Sequence, residues 1–319
     1  IMAPLLVWIG CQRALGEALK APGESQVETV SKRDAMRFPL VGSAVLFGLY
    51  IVIKLVNKDY LDILIAIYFS VIGAFGMFGA SQAPITSALK QEDAARWTRE
   101  FHYEFWKKEE DREPFKVSCS ALDVVLFLVC AAFAAAYGAT QKWWLNNLIG
   151  CAFSVQGIEM LALGSYLIGC ILMTGLFFYD IFWVFGTEVM VSVAKGLNAP
   201  VKILFPKALG VKPLPMSMLG LGDIVIPGIF VAMMLRFDMQ RKLPSTPYFN
   251  SQMVAYTLGL AVTVGVMHVF DAAQPALLYL VPACVGASLL TALRRGELKA
   301  MLDFTEEKKD KEGDEKKQD

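Results

Sequence analysis

The sequence predicts an all-α membrane protein, a bundle of nine transmembrane helices, on three observations. Apolar runs of about 20 residues, the length a helix needs to cross a bilayer, recur along nearly the whole chain. Of the 319 residues, 55% are hydrophobic and 19% charged, with a mean hydropathy of +0.48. A soluble protein would carry about 25% charged residues. No run shows the period-two alternation of a strand.

The spans fall near residues 1–11, 38–56, 60–80, 119–137, 143–162, 165–187, 214–235, 251–271 and 275–293. The first would reach only about 17 Å at 1.5 Å per residue, short of the ~30 Å of hydrocarbon. It opens with Ile1 rather than Met, so a truncated first helix is expected. Residues 1–187 then hold helices one to six, with polar loops at 12–37 and 88–118. Within the first loop, Ser31-Lys32-Arg33-Asp34 has the pattern of a helix start. The second mixes both signs of charge and reads as a solvated, partly helical loop. Residues 188–213, broken by Pro200, Pro206 and Pro213, join helices six and seven; residues 214–293 hold helices seven to nine. Residues 294–319 end in almost unbroken charge and read as a disordered tail.

Basic residues set the orientation. Loops on the tail's side carry five, seven, three and eight Lys or Arg, which is 23 of the 30; the opposite loops hold seven. The tail therefore belongs in the cytosol and the N-terminus in the lumen or outside. Lys316-Lys317-Gln318-Asp319 then fits a dilysine retrieval signal for the endoplasmic reticulum. Formal net charge is zero and no basic block is interleaved with aromatics, which argues against nucleic acid as a partner. The six cysteines are scattered, lack a CxxC pair and read as buried thiols.

Two acids carry the functional signal. Asp180 is the only ionisable acid from Ser165 to Thr187, and Asp223 the only charge from Leu214 to Leu235. A carboxylate at mid-bilayer depth costs roughly 3 kcal/mol even on mild scales, so function is its default explanation. If the two face each other, both cannot ionise, and they share one proton. Such a pair can activate a water while donating to a carbonyl oxygen, hydrolysing a peptide bond without metal or other cofactor. Gly220 and Gly222 beside Asp223 allow close backbone approach, and Pro227 cannot donate to the Asp223 carbonyl. Tyr179 is placed to hydrogen-bond a carboxylate or substrate. Pro275, read alone, is an ordinary helix start.

Three motifs, Tyr179-Asp180, Gly220-Leu221-Gly222-Asp223 and Pro275-Ala276-Leu277, resemble the YD, GxGD and PAL signatures of intramembrane aspartyl proteases. Their flanks, including Phe178 to Thr187 and Gln274 to Cys284, resemble signal peptide peptidase more than presenilin. The resemblance runs over about residues 30–300 and extends to Lys316 and Lys317. It implies a presenilin-like nine-helix fold with Asp180 and Asp223 as catalytic dyad. Tyr179, Gly220, Leu221, Gly222, Pro275, Ala276 and Leu277 would shape the site. It also implies substrates that are membrane-spanning signal peptides or type II oriented segments of the endoplasmic reticulum membrane, and the possibility of homo-oligomers or quality-control complexes. The flexible backbone around Gly220 to Pro227 and Pro275 would pair with an unwound substrate stretch.

Two other classes stay open on the residues alone. Paired intramembrane acids also mark ion-coupled transporters, although the chain's two halves do not mirror each other. A non-catalytic adaptor that recognises helices is the third. The remaining polar residues have plainer readings: Asp123, Glu159 and Glu188 at span ends, His268 and Asp271 as an interfacial pair, and Asn57, Asn146 and Asn147 in loops. No G-x-S-x-G or H-E-x-x-H occurs, which sets aside serine and zinc proteolysis.

Overall fold

Helices dominate the chain in a computed structural model that describes residues 2–20, 27–88, 101–105, 115–206, 216–270 and 274–306. They are α1 (Met2–Ala18), α2 (Lys32–Leu55), α3 (Lys58–Ala88), α4 (Ala121–Thr140), α5 (Trp143–Met160) and α6 (Tyr166–Phe185). After them come α7 (Val189–Gly196), α8 (Gly222–Gln240), α9 (Pro247–Phe270), α10 (Leu277–Arg295) and α11 (Leu298–Leu302). Among the described residues, α2, α3, α4, α6, α9 and α10 are long and apolar enough to cross a membrane. The other three expected spans are helical but more polar. α1 contains Arg13 and Glu17, α5 contains Asn146, Asn147 and Glu159, and α8 contains Asp223, Arg236 and Asp238.

Six short strands depart from the sequence reading. β1 (Glu28–Val30) pairs in parallel with β4 (Leu161–Leu163), and β2 (Phe101–Phe105) pairs antiparallel with β3 (Phe115–Cys119). β5 (Lys202–Pro206) is hydrogen-bonded to β6 (Met216–Gly220). Each has three to five residues, too few for alternation to rise above a membrane protein's apolar background. Within the loop expected at 88–118, residues 101–105 and 115–119 form this strand pair, and residues 89–100 and 106–114 of that expectation lie outside the described residues. The expected seventh span also starts later, because Met216–Gly220 is extended and the helix begins only at Gly222. Two closely spaced glycines favour that break. The first helix runs to Ala18 rather than residue 11, since the charges of Arg13 and Glu17 lie within it.

The chain forms two compact units, one of Lys58–Gln156 with Asn198–Leu219, the other of Ile1–Asn57, Gly157–Leu197 and Gly220–Asp319. In the first unit, Ala74 and Met77 of α3, Cys130, Ala134 and Tyr137 of α4, and Leu145, Ile149 and Ala152 of α5 form the core. Asp123 closes a capping box with Ser120 at the start of α4 and accepts a bond from Gln82 Nε2 at 2.9 Å. Asn146 and Asn147 are not loop residues. They are buried in α5, where the Asn146 side chain donates to Lys202 O at 2.7 Å. Asn147 donates to Leu204 O at 2.7 Å and accepts from Leu204 N at 2.8 Å. These side chains satisfy the Lys202 carbonyl and both backbone groups of Leu204, in addition to the pairing of β5 with β6.

In the second unit α8 is the central element, with every residue from Pro227 to Asp238 buried. That explains its near-uniform apolarity between Asp223 and Arg236. α1 packs on it closely, Cys11 Sγ meeting Gly228 O at 3.6 Å, while beside it a Cβ on Gly10 would come within 2.8 Å of Ile158 Cβ near the end of α5. Glu159, expected at an interface, instead pairs with Arg13 of α1 at 2.9 Å. The helix start expected at Ser31 to Asp34 is the start of α2, where Ser31 and Asp34 form a capping box. Among the described cysteines, Cys11, Cys130, Cys151, Cys170 and Cys284 are free thiols.

Asp238 solves a problem common to buried helix ends. The first N–H groups of α9 have no partner within the helix. The Asp238 carboxylate, fully buried, accepts from Tyr248 N at 3.2 Å and Phe249 N at 2.8 Å. Replacing Asp238 with Ala leaves both donors unpaired, which costs about 1–3 kcal/mol per buried group. Thermal unfolding in detergent micelles should show the Asp238→Ala protein melting several degrees below the parent, with Asp238→Asn between the two.

Candidate active site

Asp180 lies near the C-terminal end of α6 and is only 3% exposed. Its Oδ2 accepts a hydrogen bond from Leu277 N at 3.0 Å. Leu277 is the first residue of α10, preceded by Ala276 as N-cap. Pro275 and Ala276 begin the turn, with the Pro275 carbonyl accepting from Leu278 N at 3.2 Å and the Ala276 carbonyl from Leu280 N at 3.1 Å. A helix's first N–H groups point outward unpaired and carry its positive dipole end. The Pro275-Ala276-Leu277 segment therefore supplies a donor to a buried carboxyl 97 residues away in sequence.

Asp223 sits in the first turn of α8, not in the middle of a span as its isolation in sequence suggested. The Gly220 N–H lies beside its carboxyl group, and the Asp180 and Asp223 carboxyls lie within electrostatic range of each other. α6, α8 and α10 pack against one another, which brings the three motifs to one place within a single compact unit. Leu221 is the N-cap of α8, and its carbonyl accepts from Ile224 N at 3.0 Å and Val225 N at 2.8 Å. Gly220 is tight: a Cβ there would lie 3.3 Å from Asp223 Oδ2. Gly222 is exposed, with nothing within 4 Å of where its Cβ would stand. Another backbone can approach there.

Tyr179 points elsewhere. Adjacent helical residues do not share a face, so while Asp180 meets α10 the Tyr179 ring lies over α2, 3.6 Å from the Cβ position of Gly42. Its ring also flanks that of Trp183, whose Nε1 donates to Ser43 Oγ at 3.0 Å. Lys316, Lys317 and Asp271 lie outside the described residues. His268 is exposed in the last turn of α9.

Sequence reasoning missed Tyr256. Pro227 cannot donate to the Asp223 carbonyl, and the fully buried Tyr256 of α9 fills that vacancy, its hydroxyl donating to Asp223 O at 3.3 Å. A polar face at Gln252, Tyr256 and Thr263, spaced by four and seven residues, was the available signal. Gln252 Nε2 likewise donates across to Cys284 O on α10 at 2.8 Å.

A family model for signal peptide peptidase matches residues 23–308. The chain belongs to the signal peptide peptidase family. The signal peptide peptidases of Mus musculus and Homo sapiens are 40% and 39% identical over 309 residues, covering 96% of this chain and 82% of each relative. Intramembrane protease 2 of Caenorhabditis elegans is 47% identical over 216 residues, 63% of this chain and 46% of that protein. No solved structure matches. As a member of this family the chain is a multi-pass membrane protein and an intramembrane aspartic endopeptidase, a hydrolase.

Within that family fold, Tyr256 holds the backbone of Asp223 rather than its carboxyl. Removing one neutral hydrogen bond costs about 0.5–1.5 kcal/mol. Tyr256→Phe should therefore lower kcat by about two- to ten-fold with KM unchanged, read from initial rates in proteoliposomes.

Proposed function

We propose that Asp180 and Asp223 are the catalytic dyad, hydrolysing a peptide bond within a membrane-spanning substrate by general acid–base catalysis on a water. The observation that supports this most is the buried Asp180 carboxyl, anchored on Leu277 N–H and coupled in charge to Asp223. The pair shares one proton, since two adjacent carboxylates cannot both ionise in such a setting. The ionised member takes a proton from water, whose oxygen adds to the scissile carbonyl carbon. The protonated member gives its proton to the carbonyl oxygen, forming a tetrahedral diol. Collapse breaks the C–N bond as a proton passes to the leaving nitrogen.

Leu277 N–H holds the Asp180 carboxyl in place, with Pro275 and Ala276 positioning that donor, and the Gly220 N–H lies beside the Asp223 carboxyl. Open space at Gly222 favours close approach of an extended substrate backbone. The substrates on this reading are signal peptides and type II oriented transmembrane segments of the endoplasmic reticulum membrane. The nine-helix arrangement, the lumenal N-terminus and the cytosolic, dilysine-bearing C-terminus belong to the same reading, supported by the asymmetry of basic residues along the chain.

Asp180→Ala and Asp223→Ala, each reconstituted in liposomes with a fluorogenic signal-peptide substrate, should lose about 10²–10⁴-fold in kcat. Substrate binding, read by cross-linking, should persist in both. Cleavage at parental rate by either variant would overturn the dyad.

A further inference from the structure

The segment after α10 reads in sequence as the beginning of a charged tail, yet the structure uses it. α10 ends at Gly296, which has φ +67° and leads into α11. Met301 of α11 is fully buried and Phe304 is 6% exposed. Residues 304–306 then run antiparallel to Gly164, Ser165 and Tyr166. Tyr166 N donates to Phe304 O at 3.2 Å, Glu306 N donates to Gly164 O at 2.9 Å, and Ser165 and Thr305 form the bridge between these bonds. Gly164 N also donates to Val30 O at 3.4 Å, which continues the hydrogen bonding to the end of β1.

Phe304 and Glu306 also hold α8. Arg236 Nε meets Glu306 Oε1 at 2.9 Å, with both side chains largely buried. The Phe304 ring packs edge-on against Phe237, their centroids 5.1 Å apart, and Phe237 packs likewise on Tyr248 at 4.9 Å. Ser165 is the N-cap of α6, and its side chain accepts from Ile168 N. The same short peptide is therefore bonded to the start of α6 and to the end of α8.

These are the ends of the two helices that lie far from the acids. Tyr166 precedes Asp180 on α6 by 14 residues, and Arg236 follows Asp223 on α8 by 13. At 1.5 Å per residue each lever is about 20 Å long, so a tilt of about 3° would move a carboxyl by about 1 Å. A displacement of that size can cost about 10²-fold in rate. The acid end of the pair has few direct ties of its own: the Asp180 carboxyl is held by Leu277 N–H, and the Asp223 carboxyl lies beside the Gly220 N–H.

We propose that Phe304, Thr305 and Glu306 are positioning residues, a strap that fixes the far ends of α6 and α8 to each other and so holds Asp180 and Asp223 in register. The strap rests on the assignment of those two acids as the reacting pair. Arg236 and Glu306 are its electrostatic clasp. Burial raises the Glu306 carboxyl above the usual range and the Arg236 guanidinium opposes that shift. Removing either partner leaves the other charge buried without compensation.

The test uses the full chain in liposomes and a synthetic signal peptide, measuring kcat, KM and affinity for a peptidic transition-state mimic per folded molecule. Glu306→Arg and Phe304→Ala should lower kcat about 10- to 100-fold, with KM within about two-fold and mimic binding weakened in parallel. The milder Glu306→Gln and Phe304→Leu, which keep side-chain volume, should fall between these and the parent. The charge exchange Arg236→Glu with Glu306→Arg should recover most of the kcat lost by Glu306→Arg alone. Parental kcat in Glu306→Arg or Phe304→Ala would overturn the strap, as would losses that vanish once rates are normalised to folded protein. Inactive Asp180→Ala and Asp223→Ala in the same assay beside fully active strap variants would defeat the strap while leaving the dyad. Active aspartate variants would defeat both.

Discussion

The hydrogen bond from Leu277 N–H to the Asp180 carboxyl links the acid on α6 to the start of α10. A buried carboxyl needs a partner inside the protein, because hydrocarbon offers none. A helix start needs an acceptor for the same reason. Each solves the other's problem. The proline at 275 suits this arrangement because it opens a helix without contributing an N–H of its own. Asp223 lies beside the Gly220 N–H and has its backbone carbonyl capped by Tyr256.

The same economy runs through the rest of the chain. Several polar groups in apolar surroundings are matched across elements. Asp238 caps α9 from the end of α8. Asn147 bonds both the N–H and the C=O of Leu204. Arg13 meets Glu159, and Arg236 meets Glu306. Tyr166 on α6 shares a hydrogen bond with Ser288 on α10 at 2.9 Å. Interhelical polar contacts of this kind hold helices together where lipid gives them little reason to associate. In the second unit Asp238 and Arg236 place two of these on α8, the most deeply buried helix, which carries Asp223 at its other end.

Legibility in sequence followed the physics of each feature. Long apolar runs announce helices, so α2, α3, α4, α6, α9 and α10 could be located closely. Asp180 and Asp223 stood out because isolated acids in apolar segments are costly. β4, β5 and β6 could not be seen, because three to five residues in an apolar context carry no usable period. Asn146 and Asn147 looked like loop residues, since asparagine favours turns until a backbone partner such as β5 engages it. Phe304 was hidden among the charges that follow it, although it is the only aromatic after Tyr279.

What the sequence determined by itself was the membrane-spanning helical class, the two acids, and the three motifs that mark the family, because these depend on composition and local spacing. Only the tertiary structure decided which groups meet. It placed Leu277 N–H on Asp180, Tyr256 behind Asp223, and Phe304 to Glu306 across the ends of α6 and α8. Such contacts join residues as far as 217 positions apart, as between Cys11 and Gly228, and Trp183 meets Ser43 across 140. No local pattern encodes them; they arise when buried donors and acceptors must find each other as the helices pack.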